Sequence, residues 1–231
     1  MRSFFRCWVS GTTKMVTTLI SKLEPGLGNP TIRLRVSRFW EFRDQNDENI
    51  LYHLGLVLVD GTGASIAAQI MPPLDELFAP AITEGKVYDL TFYRVRQCTS
   101  QYRPVGNMQS IALTKWSTLE ECTDVPENFP NYVYSLTPYD QLRGRVNRKD
   151  SFTDAIGIIT EITSVTPIQT RTKDGESLKR SIYIRDADNV TINVALWGDR
   201  ATTFPADEVI EAGKKKSTDS DLCWHACEGL W

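Results

Sequence analysis

The chain repeats itself. Residues 55–78 read GLVLVDGTGASIAAQIMPPLDELF and residues 181–204 read SIYIRDADNVTINVALWGDRATTF, aligning without a gap at an offset of 126. Leu56 falls on Ile182, Leu58 on Ile184, Asp60 on Asp186, Ile66 on Ile192, Ile70 on Leu196 and Phe78 on Phe204. Each copy reads as an alternating strand, an aspartate-led turn (residues 60–63 and 186–189) and a second alternating strand. A short helix is expected next, at residues 73–78 and 199–204, with a proline within two residues of each end to stop it. Two aligned hairpins at a domain-sized spacing mark a duplicated folding unit.

Each hairpin has a strand in front of it. Residues 31–37 (TIRLRVS) place Ile32, Leu34 and Val36 on one face and Arg33 and Arg35 on the other. Residues 155–162 (AIGIITEI) are more continuously apolar. After the first helix, residues 86–95 and 110–116 predict two further strands. Three strands, a short helix and two strands is the layout of a five-stranded Greek-key barrel, the OB-fold; another small β-barrel is the alternative. The predicted fold is therefore all-β, tandem OB-fold barrels. The second is incomplete at its C-terminus, because no clean alternating strand follows Phe204. The expected boundaries are an N-terminal extension at 1–24, a first OB domain at 25–118 and a linker at 119–152. An incomplete second OB domain at 153–213 and an irregular tail at 214–231 complete the chain.

Composition narrows the chemistry. Among 231 residues there are 26 basic and 29 acidic ones, so a polyanion must be held by a local basic surface. Two histidines and five scattered cysteines, with no C-x-x-C pair, phosphate loop or G-x-S-x-G elbow, advertise no catalytic site and suit a reducing compartment. No catalytic residue, metal or cofactor is expected. Nor is a membrane span or a small-molecule substrate. A hydrolase would need a carboxylate cluster around a metal, and Asp44, Asp47 and Glu48 read as a loop.

OB barrels bind strands of nucleic acid across strands two and three, where cations track the phosphates and aromatic rings stack the bases. The first half carries Arg33, Arg35, Arg38, Phe39, Trp40, Phe42 and Arg43 along its first strand and the following loop. Tyr93, Arg94, Arg96, Tyr102 and Arg103 come from the fourth strand and the loop after it. Residues 91–116 contain four basic residues and no acid, whereas residues 44–89 hold eight acids against Lys86 alone, so the barrel is polarised. In the second half the candidates are Arg171, Lys173, Arg180, Tyr183 and Trp197. The competing reading makes Trp40, Phe42 and Trp197 packing residues and the arginines a solvated face.

Three weaker signals complete the survey. Cys223, His225 and Cys227 are zinc-ligand types without the residues to complete a site. Residues 1–23 are basic and acid-free, like a transit peptide or an upstream extension before Met15. Residues 214–216 are a short lysine cluster that reads as a solvated tail.

Several segments have a familiar cast. Residues 32–42 (IRLRVSRFWEF), 57–63 (VLVDGTG) and 102–104 (YRP) resemble the N-terminal OB domain of plant proteins similar to the large subunit of replication protein A. Residues 154–159 (DAIGII), 179–184 (KRSIYI) and 195–199 (ALWGD) resemble that subunit's second DNA-binding barrel. The resemblance covers roughly residues 15–213. It implies sequence-tolerant binding of single-stranded DNA in replication, repair, recombination and telomere maintenance, in the nucleus, alongside the other replication protein A subunits. Trp197 matches the family's stacking tryptophan, Arg171 and Arg180 lie in its backbone-contacting segments, and the stacking aromatic of the first barrel falls near Tyr52 or Leu54. The zinc-containing barrel and trimerisation helix of the full subunit have no counterpart in this sequence. An OB-fold protein-interaction module, a truncated paralogue with weak or no nucleic-acid binding, and RNA binding are the other readings that these residues permit.

Overall fold

A computed structural model describes residues 17–44, 47, 49–99, 103–145, 152–169 and 176–216. Among them, one compact unit runs to Val133 and a second begins at Tyr134.

In the first unit, β1 (Ile32–Arg43), β2 (Leu51–Val59) and β3 (Ser65–Ile70) form an antiparallel meander. The short helix α1 (Asp75–Phe78) follows, then β4 (Val87–Thr91), β5 (Arg94–Gln97), β6 (Gln109–Ala112) and β7 (Thr118–Glu121). The strand order is β5-β6-β3-β2-β1-β4-β7, with β3 and β6 parallel. The expected single strand over residues 86–95 is split, because Phe92 takes a left-handed φ of 52° and turns the chain. One bent strand thus pairs with β1 through β4 and with β6 through β5, which closes the sheet on itself as a Greek-key barrel. β7 is an additional strand pairing with β4; in its sequence TLEE only Leu119 is apolar, too little for alternation to show.

β1 is longer than its expected 31–37. A register shift between Val36 and Arg38 inserts an extra residue, after which alternation resumes with Phe39 packed against the core and Arg38 and Trp40 on the outer side. The core is the barrel interior, where Ile32, Leu34, Val36, Leu54, Leu56, Leu58, Ile66, Ile70, Leu90, Tyr93, Val95 and Ile111 are all buried.

The second unit starts with α2 (Tyr139–Leu142), whose Tyr139 hydroxyl donates to the Ile156 carbonyl at 2.9 Å. Its sheet has β10 (Glu176–Arg185) in the middle, flanked on one edge by β11 (Thr191–Trp197) and on the other by β8 (Ile158–Ile162) and β9 (Thr166–Gln169). Ile182, Ile184 and Leu196 bury one face with Tyr139 and Phe204. Among the described residues β11 leads into helices α3 (Asp199–Thr203) and α4 (Ala206–Lys216) rather than strands. This is the curled, partly closed sheet of an incomplete second OB-fold.

The duplication reaches the level of single hydrogen bonds. Leu54 pairs with Ile70 and Arg180 with Leu196, the same register shifted by 126. Asp60 Oδ1 accepts from the Thr62 and Ala64 amides (2.9 and 3.2 Å), and Asp186 Oδ1 from the Asp188 and Val190 amides (3.0 and 2.8 Å). Gly63 and Asn189 close the two turns with φ of 86° and 62°. Asparagine tolerates that left-handed conformation better than other side chains, so the turn survives without its glycine.

Candidate nucleic-acid interface

Residues opposite one another in a ladder share a face of the sheet. Trp40 pairs with Gly55, Gly55 with Gln69, Gln69 with Ala112 and Ala112 with Arg94. This row crosses five strands on the barrel's outer side, roughly 19 Å from end to end along the sheet. The neighbouring row runs Arg38, Val57, Ala67, Ser110, Arg96. Beyond Trp40 in the other direction, Phe42 pairs with His53. Trp40, Arg94 and Arg96, all proposed from sequence, therefore stand on one surface.

The Trp40 indole lies flat on the Gly55 backbone: a Cβ built at Gly55 would meet its Nε1 at 2.7 Å and its ring carbons closer still. Glycine there admits the ring. Val57, Ala67, Val105 and Val133 form an apolar patch beside it. Phe42 is half exposed, with its ring 5.0 Å from His53 and 5.7 Å from Tyr52, whose hydroxyl donates to Asp44. Arg96 donates through Nη2 to Gln69 Oε1, and Gln69 Nε2 stands 3.3 Å from His53 Nε2. Burial, reinforced by the positive charge of Arg96, holds the His53 imidazole below its usual pKa. The surface therefore combines flat rings, a polar chain and exposed cations.

Other sequence candidates are committed to holding the fold. Arg33 makes a two-pronged ion pair with Asp89 (Nε–Oδ1 2.8 Å, Nη2–Oδ2 2.7 Å), which holds that carboxyl below the usual range. Arg35 donates to the carbonyls of Pro130 (2.8 Å) and Gly85 (2.6 Å) and lies 5.4 Å over the Phe129 ring. Arg38 donates to the Val133 carbonyl at 3.3 Å, and Arg43 pairs with Glu41 at 2.7 Å. Tyr93 is not a stacking surface: it is 1% exposed, and its hydroxyl donates to the Pro30 carbonyl at 2.8 Å. Arg94 is exposed on the row described above, and Arg103 is half-buried with its Nε unpartnered. Tyr102, Arg171 and Lys173 lie outside the described residues, as do the histidine and cysteines of residues 223–227 and the basic stretch up to residue 16.

On the second sheet, Trp197 is 45% exposed and pairs directly with Lys179, whose ammonium sits 5.5 Å over the indole. Tyr183 is half-buried two cross-strand pairs further along the same face. Arg180 points the other way: it pairs with the buried Leu196 and lies 5.9 Å over Phe204, with its Nε buried and unpartnered. The cation beside Trp197 is Lys179, which strand parity would have picked over Arg180. His53 and Gln69 also escaped sequence reasoning, although alternation along β2 places His53 with Gly55 and Val57.

Among the described residues no cluster of histidine, cysteine and carboxylate side chains is arranged to hold a metal, and no helix is long and apolar enough to cross a membrane.

Comparison with known proteins matches residues 21–143 to the family described as Domain of unknown function DUF223, and residues 145–219 to the Replication protein A OB domain. The chain is 28% identical over 193 residues to a Replication protein A 70 kDa DNA-binding subunit of Arabidopsis thaliana, covering 82% of this chain and 30% of that one. It is 30% identical over 196 residues to the protein of the same description in Oryza sativa subsp. japonica, covering 83% and 30%. It thus spans about a third of these relatives' length. Its fold matches a replication protein A heterotrimer bound to single-stranded DNA with a TM-score of 0.56 at 22% identity, over 84% of this chain and 44% of that one. Through residues 21–143 the chain belongs to the DUF223 family, and its two consecutive OB units make it a member of the replication protein A large-subunit-like proteins of plants.

Proposed function

We propose that this protein binds single-stranded DNA, without catalysing a reaction, across the outer faces of its two OB sheets. The observation that carries this reading is the row from Trp40 over Gly55 and Gln69 to Arg94, with Phe42, His53 and Arg96 beside it. Trp40 and Phe42 stack bases while Arg94, Arg96 and Arg103 neutralise phosphates. On the second face Trp197 and Tyr183 provide the rings and Lys179 a cation, with Arg171 and Lys173 adding charge from the loop before β10. Each stacked base is worth about 1–3 kcal/mol whatever its identity, so the binding is tolerant of sequence.

The likeness to DNA-binding subunits of replication protein A supports placing the protein in the nucleus, in replication, repair, recombination and telomere maintenance, with other replication protein A subunits as partners. The test is a fluorescence-anisotropy titration with a thymidine oligomer at ~50 and ~200 mM salt. Arg94, Arg96 and Lys179 together predict a log–log slope of about −2, at roughly 0.7 per neutralised phosphate. Absent or salt-insensitive binding refutes the proposal.

A further inference from the structure

His53 occupies a place on the first face where the second face carries a lysine. At the offset of 126 it falls on Lys179, and the two hairpins share one register. Lys179 is a permanent cation over Trp197; His53 is an imidazole packed on Phe42. The hydrogen bonds around it fix its proton. Arg96 holds the carboxamide oxygen of Gln69, so the amide –NH2 faces the imidazole, and His53 Nε2 is the accepting, unprotonated nitrogen. Of the groups packed around it, Phe42 on β1 and Gln69 on β3 are uncharged. Arg96 on β5 is the charge that acts on the ring. Further along, Glu41 pairs with Arg43 and Asp44 accepts from Tyr52.

We propose that His53 is a conditional cation of this face: a phosphate bound there brings one proton onto His53 and releases Arg96 from Gln69. This rests on the reading that the face carries a nucleic-acid strand. The proton comes from solvent and adds to the Nε2 lone pair. A protonated Nε2 cannot face an amide –NH2, since both would be donors, so the Gln69 carboxamide turns its oxygen to the ring. Its –NH2 then meets the Arg96 guanidinium, again donor against donor, and Arg96 swings to a phosphate oxygen. One proton thus supplies two cations. In the free protein Arg96 opposes the charge, and in the complex the phosphate offsets it, so affinity rises as pH falls towards 6.

The test is anisotropy with a fluorescent thymidine oligomer on the full chain at pH ~8 and ~6, a range in which His is the side chain that ordinarily titrates and the oligomer does not. Wild-type affinity should rise about threefold to tenfold, within the limit of tenfold per pH unit for one linked proton. The salt slope should steepen by about 0.7 to 1.4 for the one or two extra phosphate contacts. His53→Gln should abolish both effects. His53→Lys should bind as tightly at pH ~8 as at ~6. His225→Gln, which removes the chain's other histidine, should leave both effects in place. If His53→Gln does not fold, His53→Lys carries the comparison. Binding that is independent of pH in the wild type, or pH dependence that survives in either His53 variant, overturns the proposal. Absence of binding at both pH values refutes the underlying reading as well.

Discussion

Gly55→Ala isolates the seat of Trp40. A methyl group at this position would lie 2.7 Å from the indole Nε1 and nearer to two ring carbons, against 3.4 Å or more for ordinary contact. The other side is β2 backbone, so the ring must withdraw by about 1 Å, at the usual overpacking cost of about 1–3 kcal/mol. Replacing a strand glycine recovers about 0.5–1 kcal/mol of chain entropy, which leaves a net loss of about 1–2 kcal/mol. Urea denaturation followed by circular dichroism measures that loss, and the emission of Trp40 should change with it. Anisotropy should show weaker binding, approaching tenfold if about 1.4 kcal/mol of stacking is lost. The decisive comparison is Gly55→Ala in a Trp40→Ala background, where the destabilisation should vanish because the clashing ring is gone. An equal penalty in both backgrounds would refute the idea that Gly55 exists to seat the indole.

Three further outcomes follow from the geometry. Asp89→Asn should cost about 1.5–3 kcal/mol in denaturation midpoint with little change in DNA affinity, because it breaks a charged, partly buried hydrogen-bonded pair away from the outer row. The Asp89 carboxyl is held below its ordinary value, so the pair's contribution is present above that value and lost as pH falls through the lowered one; acid titrations of wild type and variant should converge there. Tyr93→Phe should cost about 1 kcal/mol of stability, through the lost bond to Pro30, and leave anisotropy unchanged. Trp197→Ala should weaken binding by about 1–3 kcal/mol with an unaltered circular dichroism spectrum, since the ring is 45% exposed.

The barrel was largely legible because its hairpins advertise themselves: aspartate at the head of each turn, alternation on both sides, and the same spacing twice. Placing side chains on faces was harder. Parity within β5 already opposes Tyr93 to Arg94, and parity within β10 opposes Arg180 to Lys179, so these two assignments were open to correction from the sequence. Others were not. Arg35 is held by carbonyls of Gly85 and Pro130, 50 and 95 residues away, and a carbonyl leaves no mark in a sequence. Arg33 finds its carboxylate 56 residues on, among acids that looked like a diffuse negative stretch. The bulge after Val36 moved Arg38 and Trp40 to the outer face with no residue type announcing it.

The fastening of Arg35 and Arg38 to Pro130 and Val133 bears on how the first barrel is to be excised for study. A fragment cut after β7, at Glu121, would strip two guanidinium groups of their acceptors and remove Val133 from beside Val57 and Ala67. The minimal autonomous piece therefore ends beyond Val133, and a shorter one should express poorly or clump through the bared valine and alanine.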